Sequence, residues 1–131
     1  MADDETPLTV AQMAEATGVT AHTLRYYERA GLIRPVARNA GNQRSYSAAD
    51  VEWVAFLLRL RQTGMPIARM REYATLRQLG DTTIEDRLLL LEAHQIHVRE
   101  QITLLRTHEN ALAAKVRIYR RTLTAEEGKT S

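Results

Sequence analysis

The chain has 131 residues, 26% charged and 44% hydrophobic, ordinary values for one globular domain with an appendage. Its longest apolar run, Trp53 to Leu58, falls far short of the ~20 residues a membrane-spanning helix needs. The acidic start Asp3-Asp4-Glu5 suits neither a secretory signal nor a mitochondrial presequence, so a cytoplasmic protein without a membrane partner is expected.

The chain contains no cysteine, which excludes disulfides, thiolate metal sites and cysteine nucleophiles. Its glycines are scattered and form no phosphate-binding loop. The net charge is only +2, but from His22 to Arg44 five arginines stand against Glu28 alone, while from Asp81 to Ser131 eight basic residues balance eight acidic ones. This distribution suggests a polyanion-binding head on a protein-binding stem.

A first helix is expected from Thr9, with Gln12 completing a capping box and Val10, Met13 and Ala14 forming the apolar stripe. Thr17-Gly18-Val19 reads as a tight turn, with Gly18 left-handed. Thr20 caps a second helix that buries Leu24 and Tyr27 and stops at Gly31. Two short helices joined by a glycine turn make a helix-turn-helix. The period then changes: Leu32 to Val36 and Gln43 to Tyr46 flank the turn-forming Asn39-Ala40-Gly41-Asn42, which reads as a two-stranded wing.

Ser47, with Asp50 three residues on, caps a third helix in which Val51, Val54 and Leu58 face inward and which ends at Gly64. Pro66 is expected at the first position of a fourth helix, where its missing N–H costs nothing. Ile67, Met70 and Ala74 supply the core of that helix, and Gly80 closes it. Trp53 and Phe56 read as core residues.

Thr83 is expected to cap a final segment of heptad character. With Ile84 at d, the d positions are Ile84, Leu91, Val98, Leu105, Leu112 and Tyr119, and the a positions Leu88, Gln95, Ile102, Glu109, Val116 and Leu123. All but Gln95 and Glu109 are apolar, as a coiled-coil seam requires. Flanking charges favour an antiparallel homodimer. Glu85 would meet Arg106 of the partner subunit and Glu92 the partner's Arg99, over core layers that join Leu88, Leu91 and Gln95 to the partner's Leu105, the partner's Ile102 and the partner's Val98. A parallel pair would instead oppose Lys115 and Arg120. Each exposed pair is worth only ~0.2–1 kcal/mol, so charge selects orientation while the leucines supply affinity. An overlap from Ile84 to Glu109 spans about 39 Å at 1.5 Å per residue, comparable to the ~34–36 Å between half-sites read by dimeric helix-turn-helix proteins.

The run Thr23-Leu24-Arg25-Tyr26-Tyr27-Glu28-Arg29-Ala30-Gly31-Leu32-Ile33 with Pro35, followed by Asn42-Gln43-Arg44-Ser45-Tyr46 and Asp50, resembles the mercury-resistance-regulator (MerR) family over almost the whole chain. The resemblance implies an all-α fold with a small β wing, a winged helix-turn-helix head and a long C-terminal antiparallel coiled-coil dimerisation helix. The corresponding division is a DNA-binding domain at 1–79, a linker at 80–83, the dimerisation helix at 84–123 and a disordered tail at 124–131. It further implies a homodimer that binds double-stranded promoter DNA and distorts it so that RNA polymerase can use it, in response to a small-molecule effector where one exists. Cysteine-based metal and redox sensing is absent here, and only about ten residues follow the coil, where drug-sensing members carry a further domain. The stretch Asp50 to Thr83 resembles a subgroup responsive to aldehydes or nitrosative stress, but Arg59 occupies the place of that subgroup's cysteine.

In this frame Thr20, His22, Arg25 and Tyr26 would face the major groove or its phosphates, while Arg38, Asn42, Arg44 and Tyr46 would grip backbone or minor groove from the wing. Arg61 is a candidate phosphate contact. Bland alternatives stand beside these: an Arg25–Glu28 surface pair, a simple solvated hairpin for Arg44 and Tyr46, and solvated positions for His22, Arg38, Asn42 and Arg61. Dimerisation would rest on Ile84, Leu88, Leu91, Gln95, Val98, Ile102, Leu105 and Leu112. His94 and His97 occupy exposed heptad positions and suggest no metal site. With three serines and four scattered histidines no catalytic group converges and no cofactor is implied. The competing reading is a coiled-coil protein-interaction module with a basic head.

Overall fold

The computed structural model describes residues 7–34, 38–42 and 44–130, with side chains through Gly128. The helices are α1 (Val10–Thr17), α2 (Ala21–Arg29), α3 (Ala48–Gln62), α4 (Ile67–Gln78) and α5 (Ile84–Thr130), with a 3-10 turn at Asp81–Thr83 before α5. By internal contacts the chain divides into two units, residues 1–91 and 92–131.

Local chemistry sets the helix starts. The Thr9 hydroxyl accepts from the Gln12 N–H at 3.1 Å while the Gln12 side chain accepts from the Thr9 N–H at 2.9 Å. Ser47 and Asp50 repeat this exchange at the start of α3, at 3.1 and 2.8 Å. Each box satisfies two N–H groups that a helix start otherwise leaves unpaired. Gly18 ends α1 at φ 75°, and its N–H donates to the Ala14 carbonyl, a turn conformation that a Cβ would disfavour. Pro66 is the N-cap of α4 (φ −64°, ψ 150°) rather than its first helical residue; its fixed φ suits either position.

Met13, Leu24, Tyr27, Val54, Leu57, Met70 and Ala74 from four helices meet in one buried core, joined by Leu32, Ile33 and Tyr46 from the connections. Trp53 belongs to that core, and its Nε1–H donates to the Leu32 carbonyl at 2.9 Å. Stacked against it are Phe56 and Tyr73.

The wing region differs from expectation. Residues 35–37 and Gln43 lie outside the described residues. Among the described ones, the two limbs meet at an isolated Arg38–Arg44 bridge, and Tyr46 pairs instead with Leu8. The Tyr46 N–H donates to the Leu8 carbonyl at 2.8 Å and the Leu8 N–H to the Tyr46 carbonyl at 2.7 Å. This long-range pair joins the residues that immediately precede the N-caps of α1 and α3.

Two expectations at the stem also change. Thr83 is buried, and its hydroxyl lies 2.6 Å from the Leu76 carbonyl and 2.8 Å from that of Gly80. The Arg87 guanidinium donates to Thr83 Oγ1 and to the Gly80 carbonyl, both at 3.1 Å. The expected linker at 80–83 is thus a turn latched to α4 and to the start of α5. At the other end, the residues expected as a disordered tail continue α5 to Thr130. Ala125, Glu126 and Glu127 are good helix formers, and Gly128 alone opposes them by about 1 kcal/mol.

Candidate nucleic-acid interface

Helix α2 carries the face that matters. Its N-cap Thr20 accepts from the Thr23 N–H at 3.1 Å and donates to the Thr23 hydroxyl at 2.9 Å, so the Thr20 side chain is spent on the helix start. Leu24 and Tyr27 turn into the core, which leaves His22, Arg25, Tyr26 and Arg29 exposed on the rest of the circumference. Tyr26 is 41% exposed. Its ring lies 6.1 Å from that of Tyr27, whose hydroxyl is pushed up from its ordinary value by burial, with the Arg61 charge opposing.

The Arg25–Glu28 pair weighed from sequence does not form. Glu28 instead accepts from the Nε–H of Arg44 at 2.9 Å, with the two side chains only 19% and 24% exposed. An i,i+3 neighbour is the natural guess from sequence alone, but the fold brings the segment after the wing turn alongside α2. The bond fixes the Arg44 guanidinium by one edge and leaves its terminal nitrogens for another partner.

Tyr46 requires a correction. Expected to grip DNA from the surface, it is 2% exposed: its backbone is bonded to Leu8 and its ring completes the core. Burial raises its hydroxyl pKa above the usual 10.0, Arg44 opposing and Glu28 adding to the shift, with smaller effects from Asp50 and Arg25. The Tyr46 hydroxyl therefore marks the point where α2, the Arg44 segment and the start of α3 converge.

Arg38 and Asn42 sit at the turn and are exposed. The Arg38 Nη1–H donates to the Asn42 carbonyl at 2.9 Å, the Gly41 N–H donates to the Asn39 side chain at 2.9 Å, and Asn42 takes φ 61°. Asparagine tolerates that left-handed conformation better than most residues. Arg61 is exposed at the end of α3, with Nη1 3.5 Å from the Met65 carbonyl. A residue that sequence reasoning missed is Arg71 on α4, whose Nε–H donates to the Ala30 carbonyl at 2.9 Å and so caps the C-terminus of α2 from another helix. Nothing local in the sequence announces that contact.

Among the described residues no group of three or more His, Asp or Glu is placed to hold a metal, and no helix is long and apolar enough to cross a membrane. The His94 and His97 rings lie 6.1 Å apart on α5.

A family model described as MerR HTH family regulatory protein matches residues 8–76, and one described as MerR, DNA binding matches residues 51–115. The chain belongs to the MerR family. An uncharacterized HTH-type transcriptional regulator of Haemophilus influenzae is 34% identical over 113 residues, 86% of this chain and 84% of that protein. Among solved structures, a MerR family regulator from Listeria monocytogenes is 32% identical with TM-score 0.84, over 93% of this chain and 92% of that one. HiNmlR, a MerR family regulator lacking the sensor domain and bound to promoter DNA, is 34% identical with TM-score 0.80, over 88% of this chain and 91% of that one. This MerR-family chain is a helix-turn-helix transcriptional regulator and not an enzyme.

Proposed function

We propose that the protein binds double-stranded promoter DNA as an antiparallel coiled-coil homodimer, with residues 1–79 as a winged head, and that it distorts the DNA so that RNA polymerase responds indirectly. The observation that carries this reading is the exposed face of α2, where His22, Arg25 and Tyr26 project from a helix anchored by Leu24 and Tyr27. Arg25 reads a base edge or a phosphate, and Thr20 offers the helix N-terminus. Arg44 presents its free edge to the backbone while Glu28 holds it, with Arg38 and Asn42 beside it at the wing tip and Arg61 as a further phosphate contact. The DNA-bound HiNmlR structure supports the placement by likeness.

Dimerisation rests on Ile84, Leu88, Gln95, Val98, Ile102, Leu105 and Leu112 along α5. Of these, Ile84, Leu88, Leu105 and Leu112 are exposed by more than half in the single chain. Leu91 contributes less than its heptad position suggests, because it already packs partly against the head core.

The test is a fluorescence-anisotropy titration on the gene's own promoter region across a salt series. Affinity should fall steeply with salt, from phosphate neutralisation, and Arg25→Ala should cost about 1–3 kcal/mol. Binding by that variant equal to the parent's sinks the assignment of α2.

A further inference from the structure

We propose that the head binds a small planar monoanion, an aromatic carboxylate, in a cavity between Ile33, Arg34, Trp53 and Arg77. This names an effector class for the regulator proposed above, yet its binding readout needs no DNA, so the two proposals fail separately.

The cavity holds about 390 Å³ and lies among the Leu32–Arg34 segment, the first half of α3 and the last turn of α4. That volume falls within the range of pockets for small organic ligands. Its chemistry is unusual for a surface hollow. Arg34 and Arg77 both line it, and neither has an acidic partner among the described residues. Two guanidiniums outside any ion pair, facing one concavity, call for an anion, and their planar forks match a carboxylate.

Asp50, the one acidic residue in the lining, already accepts from the Ser47 N–H at 2.8 Å. Two cations against one carboxylate favour a ligand with a single negative charge and oppose a second one. The flat shape of the ligand follows from Arg77. Its guanidinium carbon lies 4.2 Å from the Trp53 ring centroid, so the indole sets the orientation of the guanidinium. Trp53 is itself fixed by its bond to Leu32 and is 8% exposed. Arg77 and Tyr73 already lie against the indole, so an aromatic ring entering the cavity stacks on this preordered arginine. Apolar atoms of Leu32 and Ile33 cover its edge.

The position also links ligand to reading head. Leu32 and Ile33 leave α2 directly, their N–H groups donating to the Tyr27 carbonyl at 2.9 and 3.4 Å. Arg77 sits on α4, whose Leu76 carbonyl is latched by Thr83. A ligand whose ring stacks on Arg77 and whose carboxylate accepts from Arg34 would tie the exit of α2 to the helix that leads into the stem.

Trp53 is the sole tryptophan of the chain, so its emission reports occupancy directly. Benzoate, benzamide and inorganic phosphate are titrated against the full-length protein, with calorimetry as a second measure. Benzoate should give a saturable change with Kd on the order of 1 mM, as expected for a ligand of this size. Benzamide and phosphate should each bind at least about tenfold more weakly. Arg34→Gln and Arg77→Gln should each weaken benzoate about tenfold; Arg34 is exposed and outside any helix, so its variant keeps the fold. Absence of saturation with benzoate, equal binding of benzamide or of phosphate, or benzoate affinity unchanged in the Arg34 variant would each overturn the proposal.

Discussion

The head and the stem solve opposite problems. Between residues 7 and 91 the hydrophobic side chains of four helices close on one another, and Met13, Val54, Leu57 and Met70 lose all contact with water. Between residues 92 and 128 no residue is buried at all, and Leu105 and Leu112 are 66% and 67% exposed. Both regions carry apolar residues at helical spacing, but only the head has somewhere to put them. A long helix with a leucine seam is stable when another surface covers that seam, whereas the head needs none.

The contrast predicts that damage to the two regions will look different. Leu105→Asp places two charges in the proposed seam, one from each subunit, and should cost the dimer about 4 kcal/mol or more, roughly a thousandfold in its association constant. Sedimentation should show half the parent mass while near-ultraviolet circular dichroism of the head is retained. An unchanged mass breaks the comparison. Met13→Ala empties a site in the head core and should lower stability by about 2–5 kcal/mol. Thermal melts of this variant should shift equally at all protein concentrations once dimer dissociation is accounted for.

Smaller changes sharpen the picture. Glu28→Ala releases Arg44 and should cost about 1 kcal/mol of head stability, since the pair is partly shielded from water. Removing a negative charge beside DNA would by simple electrostatics tighten binding. The observed clamp instead predicts weaker specific binding, and anisotropy reads the sign. The smallest effect is a pH dependence in the stem. Burial, and then the neighbouring His97, hold His94 below its usual pKa of 6.5. The folded chain therefore resists protonation there, and the unfolded chain takes up more protons as pH falls through 6.5. Stability present above that value should decline below it. His94→Gln should melt with a shallower slope between pH 8 and pH 5.5 than the parent; identical slopes would dismiss the effect.

Most of the head was legible because its signals are local. The capping boxes at Thr9 and Ser47, the left-handed Gly18 and the inward Leu24 and Tyr27 each depend on residues within one or two turns. The family resemblance followed from the run Thr23 to Ile33 on and after α2, together with Pro35, Asn42 to Tyr46 and Asp50. What sequence did not disclose are bonds between distant segments. Tyr46 meets Leu8 rather than a wing partner, Glu28 chooses Arg44 over Arg25, and Arg71 reaches the Ala30 carbonyl. In the stem, the heptad spacing announced a long helix, but not that Leu91 would lean on its own head, nor that the helix would run past Leu123.

The paired backbones of Leu8 and Tyr46 have a practical corollary. Each lies one residue ahead of a capping box, so a single two-bond clasp aligns the beginnings of α1 and α3. A gene trimmed to start at Thr9 would keep every helix of the head and still lose this clasp. The Tyr46 backbone would then lose its partner two residues beyond Arg44, so truncations and bulky fusion tags do not belong at the amino-terminal end.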